Sequence, residues 1–271
     1  MIPEIHMHQS VELLKSLHIL TRDGKINQDS RRKIKQVNHL YQLIEPLMED
    51  CFNIYNNLTL IDHGAGKSYL GFILYDLFLK QKEVGRVISI ETRENLITQS
   101  QALAQKLQFK RMDFFNLSVA EATQSALLPE KVHIVTALHA CDTATDDAIR
   151  FGLEKQADYL VIVPCCQAEV AATLRSGKAA ALAQTPLAEI WRHKLHSREF
   201  GSHITNVLRC LLLESHGYQV TVTELVGWEH SMKNELIIAK KVGGRKASAT
   251  ARQIAILQEL CLTQLTDRFV Y

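Results

Sequence analysis

A chain of 271 residues, 46% of them hydrophobic, can bury a full core as one large domain or one domain with appendages. Its 31 basic and 29 acidic residues leave a formal charge of +2, which neither demands nor excludes a nucleic-acid partner. With no basic leader ahead of an apolar run and no stretch of ~18 apolar residues, neither export nor membrane spanning is expected, so the chain reads as cytoplasmic and its six scattered cysteines as thiols.

Residues 10–20 carry apolar groups at helical spacing behind Ser10, a capping residue type, and predict a short helix. After a turn at 21–25, a longer helix is expected from about Asp29 to Asn53, with Ile34, Val37, Leu40, Tyr41, Ile44, Leu47 and Met48 near one face. Its opening is basic, with Arg31, Arg32, Lys33 and Lys35 following Arg22 and Lys25. Such a run is either a solvated helix face or an electrostatic footprint for a phosphate backbone.

The stretch from Thr59 to Gly71 then reads as strand, tight Gly-x-Gly turn and helix, the helix continuing through Phe78. The glycines allow backbone angles closed to other residues and leave no side chain in a ligand's way, while the helix start points free N–H groups at it. Three cofactor classes use such a turn. A dinucleotide fingerprint needs a third glycine where this chain has Tyr69, and a phosphate-binding P-loop needs one where it has Ile61, although Gly66-Lys67-Ser68 completes that motif on the other side. What remains is Asp-x-Gly-x-Gly, formed by Asp62, Gly64, Ala65 and Gly66, or an ordinary glycine turn.

Residues 85–91 predict a second strand ending in Glu91, whose carboxylate is placed to accept from both hydroxyls of a ribose. Helical periodicity resumes over 93–107, and 109–114 suggests a third strand with Asp113 at its end, there either to accept from an adenine amino group or to cap the next turn. Residues 132–141 form the most strand-like run, passing through Leu138, His139 and Cys141 into a helix opened by Asp142, and 158–167 read as a fifth, doubly buried strand. This alternation from 58 to 167 argues for a doubly wound α/β sheet whose strand ends gather Gly64, Glu91, His139, Cys141, Asp142, Cys165 and Cys166. Residues 169–199, alanine-rich and then basic around Trp191, are expected to form a helical insertion over the site. A helix over about 203–216, an antiparallel closing pair at 217–224 and 235–240, a flexible hinge at 243–248 and a last helix at 251–265 complete the chain. The expected division is a helical extension over 1–55, the sheet domain over 56–241, and a hinge with C-terminal helix over 242–271.

The Asp62–Lys67 loop resembles motif I of class I S-adenosylmethionine (SAM) methyltransferases. Together with Leu138–Asp146, Pro164–Gln167 and His230–Asn234, it is similar to a bacterial family of SAM-dependent methyltransferases of poorly defined substrate. The Leu-His-x-Cys and Cys-Cys stretches also resemble those of eukaryotic tRNA 2′-O-methyltransferases, which have a glycine in place of Asp142 and a histidine in place of Gln167. The resemblance covers about 25–240 and implies a seven-stranded, Rossmann-like class I methyltransferase sheet. It also implies SAM as cofactor, held by Asp62, Gly64, Ala65, Gly66, Glu91, Asp113, Leu138 and His139.

SAM carries an activated methyl group, so the enzyme must chiefly align a nucleophile and handle one proton. The chain lacks the Asn/Asp-Pro-Pro-aromatic sequence with which DNA amine methyltransferases follow strand four, which disfavours amine methylation of adenine. His139 and Asp142 are the candidates to accept a hydroxyl proton, and Lys233 or Arg198 to hold a substrate phosphate. His139, Cys141, Cys165 and Cys166 come from neighbouring strands, but side chains adjacent on a strand point to opposite faces, so buried thiols and no metal are expected. The expected activity is methyl transfer to RNA. The alternatives are a protein or small-molecule acceptor, a non-catalytic SAM- or RNA-binding module, and last a P-loop nucleotidase.

Overall fold

The structure, a computed structural model, describes residues 5–6, 8–138, 142–164, 167–176, 185–225 and 235–271. Its strands are β1 (Thr59–His63), β2 (Arg86–Ile90), β3 (Met112–Phe115), β4 (Ile134–Leu138), β5 (Tyr159–Val163), β6 (Tyr218–Glu224) and β7 (Glu235–Lys241). They form one sheet in the order β3-β2-β1-β4-β5-β7-β6. Strands β1 to β5 are parallel, and β7 runs antiparallel between β5 and β6. The central strands are apolar on both sides because both sides are covered, and every residue of β1 and β5 is buried. The expected doubly wound sheet with its antiparallel closing pair is thus present, and its strand order reverses at β1, between β2 and β4.

Alternate residues of each strand feed two cores. Leu60, Val87, Phe114, Ile134, Val161 and Leu236 face one side, packed by α1 (Val11–Ser16), α2 (Gln28–Tyr55), α3 (Tyr69–Leu77) and α4 (Glu94–Lys106). Ile61, Ile88, Val135, Leu160 and Ile237 face the other, packed by α5 (Val119–Gln124), α6 (Thr143–Glu154) and α8 (Lys194–Ser215). A third, smaller cluster joins α7 (Glu169–Ser176) and α8 to α9 (Ala247–Glu259) and α10 (Thr266–Phe269) through Leu174, Leu208, Leu257 and Phe269.

Four expectations about the periphery need correction. Asp113 does not end β3: it is the strand's second residue, level with Ile88, and its carboxylate turns back to Arg86 at 3.5 Å. The basic stretch at 194–198 is no insertion separate from the next helix but the first turns of α8, which runs unbroken from Lys194 through Gly201 to Ser215. The glycine pair at 243–244 is no free hinge. Val242 N and Gly243 N donate to Gly217 O, Lys246 N donates to Ser215 O, and a Cβ on Gly217 would lie 2.1 Å from Gly243 O.

The fourth correction concerns the basic opening of α2. Ser10 N donates to Asp76 near the end of α3, Glu12 pairs with Lys106 at the end of α4, and Lys33 reaches His18 O just beyond α1. The α2 opening therefore lies by the ends of α3 and α4, whereas the glycine loop lies at the start of α3. Among the described residues no helix is long and apolar enough to cross a membrane.

Candidate cofactor site

The glycine loop leaves β1 and enters α3 through three positive-φ residues, Gly64 (63°), Gly66 (58°) and Ser68 (54°). Such angles come readily to glycine and cost Ser68 about 1 kcal/mol or more. The loop is tied to the neighbouring strand twice, by Ala65 N to Ile90 O (3.0 Å) and Gly66 N to Glu91 Oε2 (2.8 Å). Among the described residues, a Cβ on Gly66 would meet only Arg93 Nη2, at 3.8 Å. That cradle suits a ligand brought up against backbone.

Glu91, directly after β2, is buried. Burial alone would raise its pKa, yet the Arg93 side chain and the N–H groups of Arg93 and Gly66 outweigh it and hold the acid at about 2. Arg93 grips both oxygens, Nε to Oε1 and Nη2 to Oε2, each at 3.0 Å, while its own side chain is 63% exposed. Asn116, level with Glu91 one residue beyond β3, donates from Nδ2 to Glu91 O at 2.9 Å. Asn116 therefore occupies the strand-end position that sequence reading gave to Asp113. Its signal was an amide following the strand by one residue.

Asp62 takes no such exposed place. It is 2% exposed, accepts from Thr136 Oγ1 at 2.8 Å and from the Gly71 N–H, and so braces β1 against β4 and the first turn of α3. Burial pushes its pKa up to about 6. Gly71 lets the helix sit this close, since a Cβ there would lie 3.1 Å from Val87 and 3.2 Å from Ser89 Oγ. His63 is buried against Phe151, its Nε2 without a partner among the described residues and its pKa lowered to about 4 by burial, so it is neutral.

Leu138 ends β4, half-buried, on the same sheet edge. Asp142 follows with φ 48° and ψ −117°, a conformation that strains a residue with a Cβ. Its Oδ1 accepts from Ala168 N (3.0 Å) and Glu169 N (3.4 Å) at the start of α7. His139, Cys141, Cys165, Cys166 and Lys233 lie outside the described residues. Among the described residues no group of His, Cys, Asp and Glu is placed to share a metal ion.

A cleft of about 420 Å³ is lined by Arg175, Lys194, Leu195 and Arg198. It joins the end of α7 to the first turns of α8. Arg198 is half exposed and paired with Glu199 at 2.8 Å. Sequence reading also passed over Arg209, an arginine inside the otherwise apolar run Val207–Leu213, which was itself a signal of a buried charge with a purpose.

A family model described as "Methyltransferase domain" matches residues 32–173. No curated protein sequence matches this one. Among solved structures, the chain is similar to the SAH-bound methyltransferase PaMTH1 of Podospora anserina, at 8% identity and a TM-score of 0.47 over 86% of this chain and 87% of that one. It is similar to a putative caffeoyl-CoA O-methyltransferase of Staphylococcus aureus, at 11% identity and a TM-score of 0.46 over 88% and 94% of the two chains. A third likeness is to an rRNA methylase of Streptococcus thermophilus, at 8% identity and a TM-score of 0.41 over 69% and 88%.

Proposed function

We propose that this chain, which belongs to the methyltransferase-domain family, transfers a methyl group from SAM to RNA. The observation that carries the cofactor half is the pairing of a positive-φ glycine loop with a buried, ionised carboxylate at the end of the next strand. Gly64, Ala65 and Gly66 let the cofactor approach the backbone, and Glu91 accepts from its ribose hydroxyls. Asp62 acts behind the loop, holding α3 and β4 in place. Leu138 supplies apolar surface at the end of β4, and Asn116, bonded to the Glu91 carbonyl just beyond β3, takes the adenine-side role.

When bound, SAM supplies the activated methyl on its sulfonium. The chain's own work is to orient the acceptor and take one proton. In this reading His139, the residue after β4, takes the proton of an RNA hydroxyl and Lys233 holds a phosphate, both assignments resting on sequence. Asp142, with one oxygen already committed to α7, is the weaker acceptor. RNA as substrate is supported by the cationic cleft of Arg175, Lys194 and Arg198, where the end of α7 meets the first turns of α8. The basic opening of α2 lies instead beside the end of α1, which is bonded to the far end of α3.

The test is transfer of tritiated methyl from SAM into total cellular RNA and, separately, into total protein. Label in RNA, lost when Lys194 and Arg198 are both changed to Glu while SAM still binds, is expected. Label in the protein fraction alone would overturn the RNA half and leave the cofactor half standing.

A further inference from the structure

The stretches that mark the strand ends converge on one side chain from α8. Arg209 is fully buried. Its Nε and Nη2 meet the two carboxylate oxygens of Asp146 in α6 at 2.6 and 3.0 Å, its Nη1 donates to Asn206 Oδ1 at 3.2 Å, and its Nη2 donates to Asp142 O at 2.9 Å. Asn206 extends the chain of bonds. Its Oδ1 accepts from Gln167 Nε2 beyond β5 at 3.2 Å, and its Nδ2 donates to Glu235 Oε2 at the start of β7 at 2.8 Å. Gln167 in turn accepts from Ser202 Oγ at 2.7 Å.

A buried ion pair of this kind is a weak source of stability, because desolvating both charges offsets their attraction; what it does supply is one defined geometry. Here that geometry includes Asp142, whose φ of 48° and ψ of −117° are held by bonds from Arg209 and the Thr145 N–H to its carbonyl and from the first N–H groups of α7 to its side chain. The residues so linked follow β4, follow β5 and begin β7, at the edge where ligands of such sheets bind.

We propose that Arg209 is a positioning residue for methyl transfer: it holds the Asp142 backbone strained and, through Asn206, fixes Gln167 and Glu235, so that the ends of three strands present the acceptor to the methyl donor in one arrangement. This rests on the methyltransferase reading above. Asp142 contributes its backbone and its cap on α7, and acts through them.

Arg209→Met alone leaves Asp146 buried and unpaired and invites unfolding, so the test uses Arg209→Met combined with Asp146→Leu, which removes both charges together. Affinity for S-adenosylhomocysteine by calorimetry is expected within threefold of wild type. The rate of methyl transfer into total RNA is expected to fall at least 20-fold in kcat, with KM for RNA little changed. Hydrogen exchange of the Ala168 and Glu169 amides is expected to speed up at least tenfold as Asp142 relaxes. Wild-type exchange at those amides in the folded double variant would overturn the proposal whether or not RNA is the substrate. Absence of S-adenosylhomocysteine binding by the wild-type protein would instead count against the underlying reading. Asp142→Asn, which keeps an oxygen for the α7 amides, is expected to retain at least tenfold more transfer than Asp142→Ala. Equal loss in both would make Asp142 a proton acceptor and remove it from the positioning scheme.

Discussion

Replacing Glu91 with Gln tests the cofactor site with the least change of shape. The carboxylate receives the Gly66 N–H, the Arg93 N–H, two guanidinium bonds and the Thr92 hydroxyl. With its pKa lowered from 4.5 to about 2, the folded state gains stability from the ionised acid that is present above 4.5 and lost as pH falls through 2. At about 1.4 kcal/mol per unit that would be roughly 3 kcal/mol, but Arg93 is well exposed, and solvent screening reduces it to about 1–2 kcal/mol. The variant should therefore remain folded, with its thermal midpoint lowered by several degrees.

Binding should suffer more. Two charge-assisted hydrogen bonds to ribose hydroxyls contribute about 1.5–3 kcal/mol each, and an amide retains one acceptor oxygen, so about 2–4 kcal/mol should be lost, or about 30- to 1,000-fold in Kd. Calorimetric titration of wild type and Glu91→Gln with SAM and S-adenosylhomocysteine at pH 7.5 measures it. Wild-type affinity should also be flat from pH 8 to 5 as far as Glu91 is concerned, since the acid stays ionised throughout. A folded Glu91→Gln protein that binds both ligands within threefold of wild type would refute the assignment of the ribose.

Three further outcomes follow from the same geometry. Arg93→Ala frees both Glu91 oxygens from an exposed partner worth about 0–1 kcal/mol, so SAM affinity should rise by up to about fivefold; a tenfold loss in the same titration would mean that Arg93 touches the cofactor. Asp62, with its pKa raised from 3.8 to about 6, costs the folded state stability as pH rises through that window. Between pH 4 and 7 the urea-unfolding stability of Asp62→Asn should shift by about 2–3 kcal/mol in the variant's favour relative to wild type, and a constant difference would show that the acid is not desolvated. Gly201→Ala places a Cβ 2.6 Å from the Ala171 backbone where α7 crosses α8, and should lower stability by about 1–3 kcal/mol, read as a depressed thermal midpoint; an unchanged midpoint would mean that the two helices are not in backbone contact.

Much of this protein was legible in the chain because its strongest signals are local. Apolar runs that alternate with helical periodicity between 58 and 167 specify a doubly wound sheet. The motif from Asp62 to Gly66 specifies where its positive-φ glycine loop lies, and Glu91 was legible because it directly follows a short apolar strand. What the chain could not disclose is what depends on register and on partners distant in sequence. Asp113 looked like the last residue of β3, but pairing of Met112 with Val87 sets it two residues short of the edge and hands that place to Asn116. The basic runs at 31–35 and 194–198 looked equivalent. Only tertiary packing separates them, the docking of α1 on Asp76 and Lys106 sending one to the end of α3 and the other lining a cleft with Arg175 of α7. Arg209 and Asp146 are 63 residues apart, and no local pattern can say that a charge in an apolar helix will meet its partner there. Periodicity and backbone chemistry act over a few residues and are written in the chain itself, whereas a buried polar network exists only once packing brings its members together.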